Sequence, residues 1–330
     1  FYLRTRQRGM QNWDGKIHYI TKTGQFKIGL LPKVYDMCIE MGIKPKVVDM
    51  RQPLPKVSKV VTNIGKYKLR PEQEKAVKSV INNRVGDTPF HIGVLDYTVN
   101  AGKTLIMSSL YLTYKKQLKT LLITNDSDWL NQAREEFKQY LPGEDITFVQ
   151  GKVLNWSNFT IGMVQSISRN MRFYQKELSQ IDMVLVDEAD QGGSKQYQNV
   201  ITRLFNTRIR IGLSGTIYMS KLAKDKVKNM NLECFFGKVI AEFKLKDSIK
   251  KGYSTKTIVK MVPGKPWYGN WESDCISYKE IYDDSITENN TAWTMAYNRL
   301  RWNINQGRYP ALVVCKHIAH CENLYKFFKK

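Results

Sequence analysis

Two short segments, each directly behind an apolar run, do most to restrict the fold of this chain. His91-Ile92-Gly93-Val94-Leu95 reads as a strand, Asn100-Ala101-Gly102-Lys103-Thr104 as the loop that follows it, and Leu105 to Leu110 as a continuing helix. Further on, Ile181-Asp182-Met183-Val184-Leu185-Val186 is apolar enough for a strand buried on both faces, and it runs into Asp187-Glu188-Ala189-Asp190. Strands covered on both faces belong to parallel sheets with helices above and below. Groups that act on ligands in such sheets emerge at the carboxyl ends of the strands. The two segments therefore require an α/β fold and bring a Gly-Lys-Thr loop and an acidic cluster to one edge of it.

The chemistry of that edge follows from the residue types. Backbone N–H groups of Asn100, Ala101 and Gly102 at a helix start point at an anion, and Gly102 lets the backbone come close to it. Lys103 would reach outer phosphates and the Thr104 hydroxyl is placed to ligate magnesium. Asp187 would hold the same ion, and Glu188 would orient or deprotonate an attacking water. A Gly-Lys-Thr triplet or an acidic turn has a bland explanation when it stands alone. The pair, in this order and each behind a buried strand, points to a P-loop site for ATP and Mg2+.

Length and charge add a partner class. With 330 residues the chain can bury more than one core. Its net charge of +22, from 52 basic and 30 acidic residues, exceeds what solubility needs and favours a polyanion, nucleic acid above all. No apolar run reaches membrane-span length and no signal-peptide pattern opens the chain, so a cytoplasmic protein without a membrane partner is expected. Cys38, Cys234, Cys275, Cys315 and Cys321 are an odd number without paired spacing, which argues for thiols and no disulfide partner. Cys315, His317, His320 and Cys321 cluster in sequence but read as core and cap residues of a strand-to-helix turn rather than as a zinc set. The chain opens at Phe1 rather than Met, as a portion of a longer product would.

The organisation reads as follows. Residues 1–50 form a small basic α+β unit: two strands, Lys16 to Thr21 and Gln25 to Leu31, turn at Gly24, and a helix runs from Pro32 to Gly42. Arg4, Arg6, Arg8, Lys16 and Trp13 within it could make a DNA-binding face, or it is a solvated hairpin packed on a larger domain. Residues 51–66, with Pro53, Pro55 and several lysines, read as a linker. From 67 to 234 strand and helix patterns alternate, with further strands at 121–124, 146–149, 159–163 and 210–213, a RecA-like count. Gln132, Gln165 and Ser166 lie just past such strands, and Ser214-Gly215-Thr216 follows the last. From 235 to 330 the strands shorten (239–243, 256–262 and 311–315), and residues 265–290 look like an aromatic and acidic insertion. This part reads as the opening of a second RecA-like lobe.

The order of these motifs resembles the superfamily-two helicases. Leu69-Arg70-Pro71-Glu72-Gln73 looks like their adenine motif, Asn100 to Thr104 like motif I, and Leu121 to Gln132 like motif Ia. Val164-Gln165-Ser166 resembles motif Ib, Asp187 to Asp190 motif II, Leu213 to Thr216 motif III and Leu312 to Leu324 motif IV. The resemblance implies that Arg70 and Gln73 contact adenine, that Asp190 links to Ser214 and Thr216 and couples nucleotide state to the DNA site, and that Gln132, Gln165 and Ser166 touch DNA. Within the superfamily, Trp13-Asp14-Gly15-Lys16, Gly29-Leu30-Leu31 and Phe236-Gly237 are similar to the phage UvsW-type branched-DNA helicases. That likeness implies an ATP-driven motor on forked or branched DNA, in branch migration, recombination or repair, within the bacterial host cytoplasm. Three departures stand out. Tyr97 occupies the place of the common loop's first glycine. Asp187-Glu188-Ala189-Asp190 has the spelling of RNA helicases. The second lobe's motifs V and VI are absent, and with them the arginine worth about 10³–10⁵ in rate. An RNA helicase, a restriction-type translocase subunit or a binding module with impaired hydrolysis are the alternatives.

Overall fold

Predominantly apolar runs leave β-strands no solvent-facing side, and four of the strands here are buried along their whole length, Asp96, Arg210 and Asp187 among the buried residues. The computed structural model describes residues 17–114, 117–151, 156–217, 223–256, 277, 280, 282, 286–308 and 312–329. They fall in two units, Phe1–Lys256 and Thr257–Lys330.

In the first unit seven parallel strands form one sheet. They are β1 (Ile92–Tyr97), β2 (Thr120–Thr124), β3 (Ile146–Val149), β4 (Phe159–Met163), β5 (Met183–Asp187), β6 (Ile209–Ser214) and β7 (Val239–Phe243), in the spatial order β7-β1-β6-β5-β2-β4-β3. Alternation along β5 shows the two-sided burial: Met183 and Leu185 join one core, Val184 and Val186 the other. The first core is closed by α2 (Pro71–Ile81), α3 (Lys103–Thr113) and α4 (Ser127–Tyr140), with Phe159 of β4 stacked on Tyr111 at 4.8 Å and edge-on to Phe137 at 5.1 Å. The second is closed by α5 (Val164–Arg169), α6 (Gln175–Ser179), α7 (Lys195–Ile201) and α8 (Ala223–Phe236). Each aliphatic side chain buried in this way contributes roughly 1.5–3 kcal/mol. This is a RecA-like α/β domain, and every strand named from the sequence between 91 and 214 is present.

The edges of the unit differ from expectation. Residues 25–31 do not form a strand: only an Ile20–Phe26 bridge survives of the hairpin, Ile28–Leu30 is a 3-10 turn, and α1 begins at Leu31 and ends at Glu40. The described part of 1–50 belongs to the same unit as the sheet. The reason is packing: Gly29 lies so close to α8 that a Cβ would meet the Glu233 carbonyl at 2.1 Å, and Leu30 enters the second core. Residues 51–66 are no free linker. Leu54, Val57, Val60 and Val61 pack on the first core, Ser109 Oγ donates to the Val61 carbonyl at 2.6 Å, and Val61 N–H donates to Thr113 Oγ1 at 3.1 Å.

A lobe boundary at 235 is also displaced. β7 pairs with β1 at the edge of the main sheet, with a bulge between Val239 and Ala241, so the first unit runs to Lys256 and includes α9 (Leu245–Lys250). The second unit carries α10 (Asn290–Asn305) and α11 (Ile318–Lys329). Residues 312–315, read as a strand, pair with no strand among the described residues, and Leu312 and Val314 are 88% and 80% exposed. Of the strand expected at 256–262 only Lys256 is described, and most of the 265–290 insertion lies outside the described residues. Among the described residues no group of three or more metal-ligating side chains converges. His317 instead meets the Tyr282 ring edge-on at 4.9 Å. Cys38, Cys234, Cys315 and Cys321 are free thiols. No described helix is long and apolar enough to cross a membrane.

Candidate nucleotide-binding site

After Tyr97 the chain turns through residues 98–101 into α3, whose N-cap is Gly102. Asn100 and Gly102 are both left-handed, at φ 63° and 73°. At Gly102 a Cβ would lie 2.3 Å from Gln73 Nε2, so shape and backbone both demand glycine. The loop is braced from α2. Gln73 Nε2 donates to the Ala101 carbonyl at 2.8 Å, and the Arg70 guanidinium donates to the Asn100 carbonyl at 3.1 Å. Gln73 Oε1 accepts the Arg70 N–H at 2.8 Å. Both ends of this buried amide are thus committed within the protein, which makes Gln73 a brace of the loop in this state. Arg70 lies over the Tyr253 ring at 4.2 Å and 3.3 Å from the Glu72 carboxylate.

Tyr97 explains the missing glycine. Its side chain is fully buried, its hydroxyl donates to the Glu72 carbonyl at 2.7 Å, and its ring packs on Phe243 at 6.1 Å. Burial pushes its hydroxyl pKa far above the usual value. The strand therefore extends one buried residue further than in the common loop and pins α2 to the sheet.

The acidic segment leaves β5 on the same edge. Lys103 Nζ lies 3.9 Å from Asp187 Oδ1. Asp187 is buried, and that oxygen accepts no hydrogen bond. Burial raises its pKa, with Lys103 opposing the rise. Glu188 sits at φ 51°, and its pKa is raised by burial and by the Asp187 and Asp190 charges. Asp190 Oδ1 accepts a hydrogen bond from Ser214 Oγ at 2.9 Å. Ser214 Oγ accepts the Thr216 N–H at 3.2 Å and lies 3.4 Å from Thr216 Oγ1. Between them Gly215 abuts the phosphate loop, where a Cβ would meet Thr98 Cα at 2.9 Å. Thr104, half-buried, is one residue past Lys103 on α3. Lys103, Glu188, Asp190 and residues 214–216 line one cleft of about 650 Å³. The residues suit a magnesium-triphosphate: a cation, a left-handed glycine loop at a helix start, and a buried carboxylate oxygen that accepts no hydrogen bond.

Sequence reasoning missed one charged pair in this cleft. Lys244 forms an ion pair with buried Asp96 and lies 3.4 Å from Glu242. The register sets Asp96 beside both Ser214 and Glu242. Assigning 239–243 to a second lobe hid it, although the run into Lys244 already had the form of a strand end.

The expected DNA contacts are less convergent. Gln132 is exposed on α4 and donates to Glu136 Oε1 at 2.6 Å. Gln165 Nε2 donates to the Asn125 carbonyl at 3.2 Å, and Ser166 Oγ accepts the Gly151 N–H at 3.2 Å. Gln165 and Ser166 stand at the carboxyl edge, where they tie the turns after β2 and β3 to α5. Arg4, Arg6, Arg8, Trp13 and Lys16 lie outside the described residues. In the second unit Gln306-Gly307-Arg308 has the spelling of the missing arginine motif. It is the end of α10, however, with Gly307 at φ 68° and the Arg308 guanidinium 5.1 Å from the Trp302 ring centre.

A parallel sheet that carries a glycine-lysine-threonine loop, a DEAD segment and a Ser-Gly-Thr turn on one edge has the arrangement of the first lobe of superfamily-two helicases, and the comparisons point to the same class. The sequence model of the family described as Type III restriction enzyme, res subunit, matches residues 66–219. The chain is 22% identical over 228 residues to the ATP-dependent DNA helicase uvsW of Enterobacteria phage T4, a match covering 62% of this chain and 43% of that protein. Two crystal structures of phage T4 UvsW share the fold. One has a TM-score of 0.54 at 21% identity, covering 70% of this chain and 84% of that one. The other has a TM-score of 0.55 at 20% identity, covering 96% of this chain and 64% of that one. The chain spans less than half the length of the curated relative it matches.

Proposed function

We propose that this chain is the nucleotide-binding part of an ATP-dependent DNA helicase or translocase that works on forked or branched DNA. The observation that carries the reading is the approach of Lys103 to the buried Asp187 oxygen, which accepts no hydrogen bond, at the carboxyl edge of the sheet. In this reading the loop at Asn100–Gly102 and Lys103 bind the phosphates, Thr104 and Asp187 hold Mg2+, and Arg70 and Gln73 lie on the adenine side. The metal, when bound, would offset phosphate charge. Glu188, whose raised pKa makes its carboxylate a stronger base than a free glutamate, takes up the proton of the attacking water. Asp190, Ser214 and Thr216 transmit the state of that site to the nucleic-acid face. Residues 257–330 open the second lobe, and DNA is gripped by the backbone, which suits the net charge of +22. The UvsW relative, named as an ATP-dependent DNA helicase, supports DNA over RNA.

The family match over residues 66–219 favours one second reading, a restriction-type translocase. Steady-state ATP hydrolysis with no nucleic acid, linear duplex, forked DNA and RNA, at one fixed salt, separates the two. Greatest stimulation by the fork supports the first reading, linear duplex the second, and RNA refutes both. Lys103→Ala is expected to abolish hydrolysis and leave salt-sensitive DNA binding intact, while Glu188→Gln binds ATP and stalls. Normal turnover in either variant sinks the site assignment.

A further inference from the structure

The edge of the sheet opposite the phosphate loop has its own pattern. His91, Arg208, Asp182, Lys119 and Asn158 each lie one or a few residues before β1, β6, β5, β2 and β4. Those five strands are consecutive in the sheet, so at about 4.8 Å per strand the row is roughly 19 Å long. Two depressions follow it and share Arg51, Gln52 and Arg208 as lining. A third, sharing Ser179, continues onto the flank beside α6. Their combined walls hold eight Lys or Arg side chains and two carboxylates, Asp49 and Asp182. Both carboxylates are taken: Asp49 by Arg51 at 2.7 Å, Asp182 by Arg208 at 2.7 Å.

The third depression, about 750 Å³, is the most distinctive. Arg172, Lys176 and Arg203 line it with no carboxylate in the wall, and all three are exposed. Phe173 and Phe205 stand in the same wall at 63% and 68% exposure. Further charge lies beneath the row. Arg210 is buried at the start of β6, and its guanidinium, bonded to the Phe235 carbonyl at 3.2 Å, has no carboxylate partner. Solvated cations alone would need no aromatic company. Cations interleaved with exposed rings are what a backbone of phosphates carrying unstacked bases requires.

We infer that this amino edge is a second nucleic-acid track, which takes a single strand of DNA with its phosphates along Lys119, Arg172, Lys176 and Arg203 and its bases on Phe173 and Phe205. The track is separate from the carboxyl edge, where the nucleotide cleft and the motif Ia and Ib turns lie. A strand leaving the motor face would pass over the flank and be held on the far side, so that the enzyme keeps hold of one product strand between steps.

The test uses the whole chain and a fluorescent oligo(dT), with binding read by anisotropy across a salt series. The triple variant Arg172→Ala, Lys176→Ala, Arg203→Ala is expected to lower the slope of log K against log salt by about 2, since each phosphate contact on a single strand contributes about 0.7. Phe173→Ala with Phe205→Ala is expected to weaken binding by roughly tenfold or more with the slope unchanged. An oligonucleotide carrying 5-iodouracil should photo-crosslink to Phe173 or Phe205. Hydrolysis of ATP without DNA should be that of the parent in every variant, which separates a failed track from a failed nucleotide site. Unchanged slope and affinity in the triple variant, or crosslinks confined to the carboxyl edge, overturns the inference. So does equal loss of duplex and single-strand binding in the phenylalanine variant, because a duplex offers no free base faces.

Discussion

Returning Tyr97 to the glycine of the common phosphate loop should damage this protein. Tyr97 is fully buried between α2 and β7, and its hydroxyl satisfies the Glu72 carbonyl at 2.7 Å. Tyr97→Phe keeps the ring and leaves that carbonyl unpaired in a dry site, which costs about 1–3 kcal/mol. Tyr97→Gly also removes the ring from between α2 and Phe243. Deleting a buried aromatic costs about 3–5 kcal/mol, and glycine inside a strand adds about 0.5–1 kcal/mol. With the unpaired carbonyl the three costs sum to about 4.5–9 kcal/mol, comparable with the roughly 5–15 kcal/mol that holds a domain folded. Urea unfolding followed by tryptophan fluorescence should give midpoints that fall from the parent through Tyr97→Phe to Tyr97→Gly. A Tyr97→Gly chain that unfolds at the parent's midpoint, or binds ATP more tightly, would refute the argument that this tyrosine is a structural pin in place of a loop glycine.

Two further outcomes follow from the site. Burial holds the Asp187 carboxyl above the ordinary aspartate range, so the folded chain keeps that proton to higher pH than the unfolded chain does. Stability therefore falls as pH rises from the unfolded value through the folded one, and the full penalty is present above it. Asp187→Asn should melt higher than the parent at pH 7, by about 1–3 kcal/mol, with the gap closing toward pH 4, while hydrolysis is lost; a lower melting temperature at pH 7 contradicts the reading. Ser214→Ala removes the hydroxyl that joins Asp190 to Thr216 and should cut DNA-stimulated hydrolysis more than basal hydrolysis, and equal loss of both would show that the contact does not couple the two.

The carboxyl edge was legible because its residues are adjacent in sequence to the strands that present them. A glycine at φ 73°, the lysine after it and a carboxylate at the end of a fully buried strand are adjacent in sequence to the strands that place them. The Asp190–Ser214 bond was expected only from the resemblance; it forms because Asp190 lies in the turn three residues past the end of β5 and Ser214 ends β6, its neighbour in the sheet. What failed to show were contacts between distant segments. Prolines and lysines at 53–56 look like a linker, yet Val57, Val60 and Val61 among them cover the first core. The basic segment before 50 has hairpin punctuation, but Gly29 is there for the close approach to α8. Val239–Phe243 is short and follows a Phe-Gly break, so nothing local says whether it opens a new sheet or completes the old one. The free edge of β1 decides it, because pairing with β7 satisfies the ladder groups that an unpaired edge leaves open.

The parallel topology also explains why charge can be read on two edges with different meaning. Every loop at the carboxyl edge leaves a strand, and there the side chains meet in one cleft whose positive and negative groups answer each other: Lys103 with Asp187, Lys244 with Asp96. At the amino edge the chain returns from each helix, and the turns only have to reach the next strand. Arg51 and Arg208 each give one face to a carboxylate and the other to a backbone carbonyl, of Thr207 at 2.7 Å and of Gln52 at 2.9 Å, which fixes the residue 51–57 strap under the sheet. Beyond them Arg172, Lys176 and Arg203 surround two exposed phenylalanines with no acid in the wall. A surface designed only to close a fold has no need of that excess, since like charges brought together repel and exposed rings lose contact with the core. Cost without a structural return is the physical ground for assigning that edge to a polyanion.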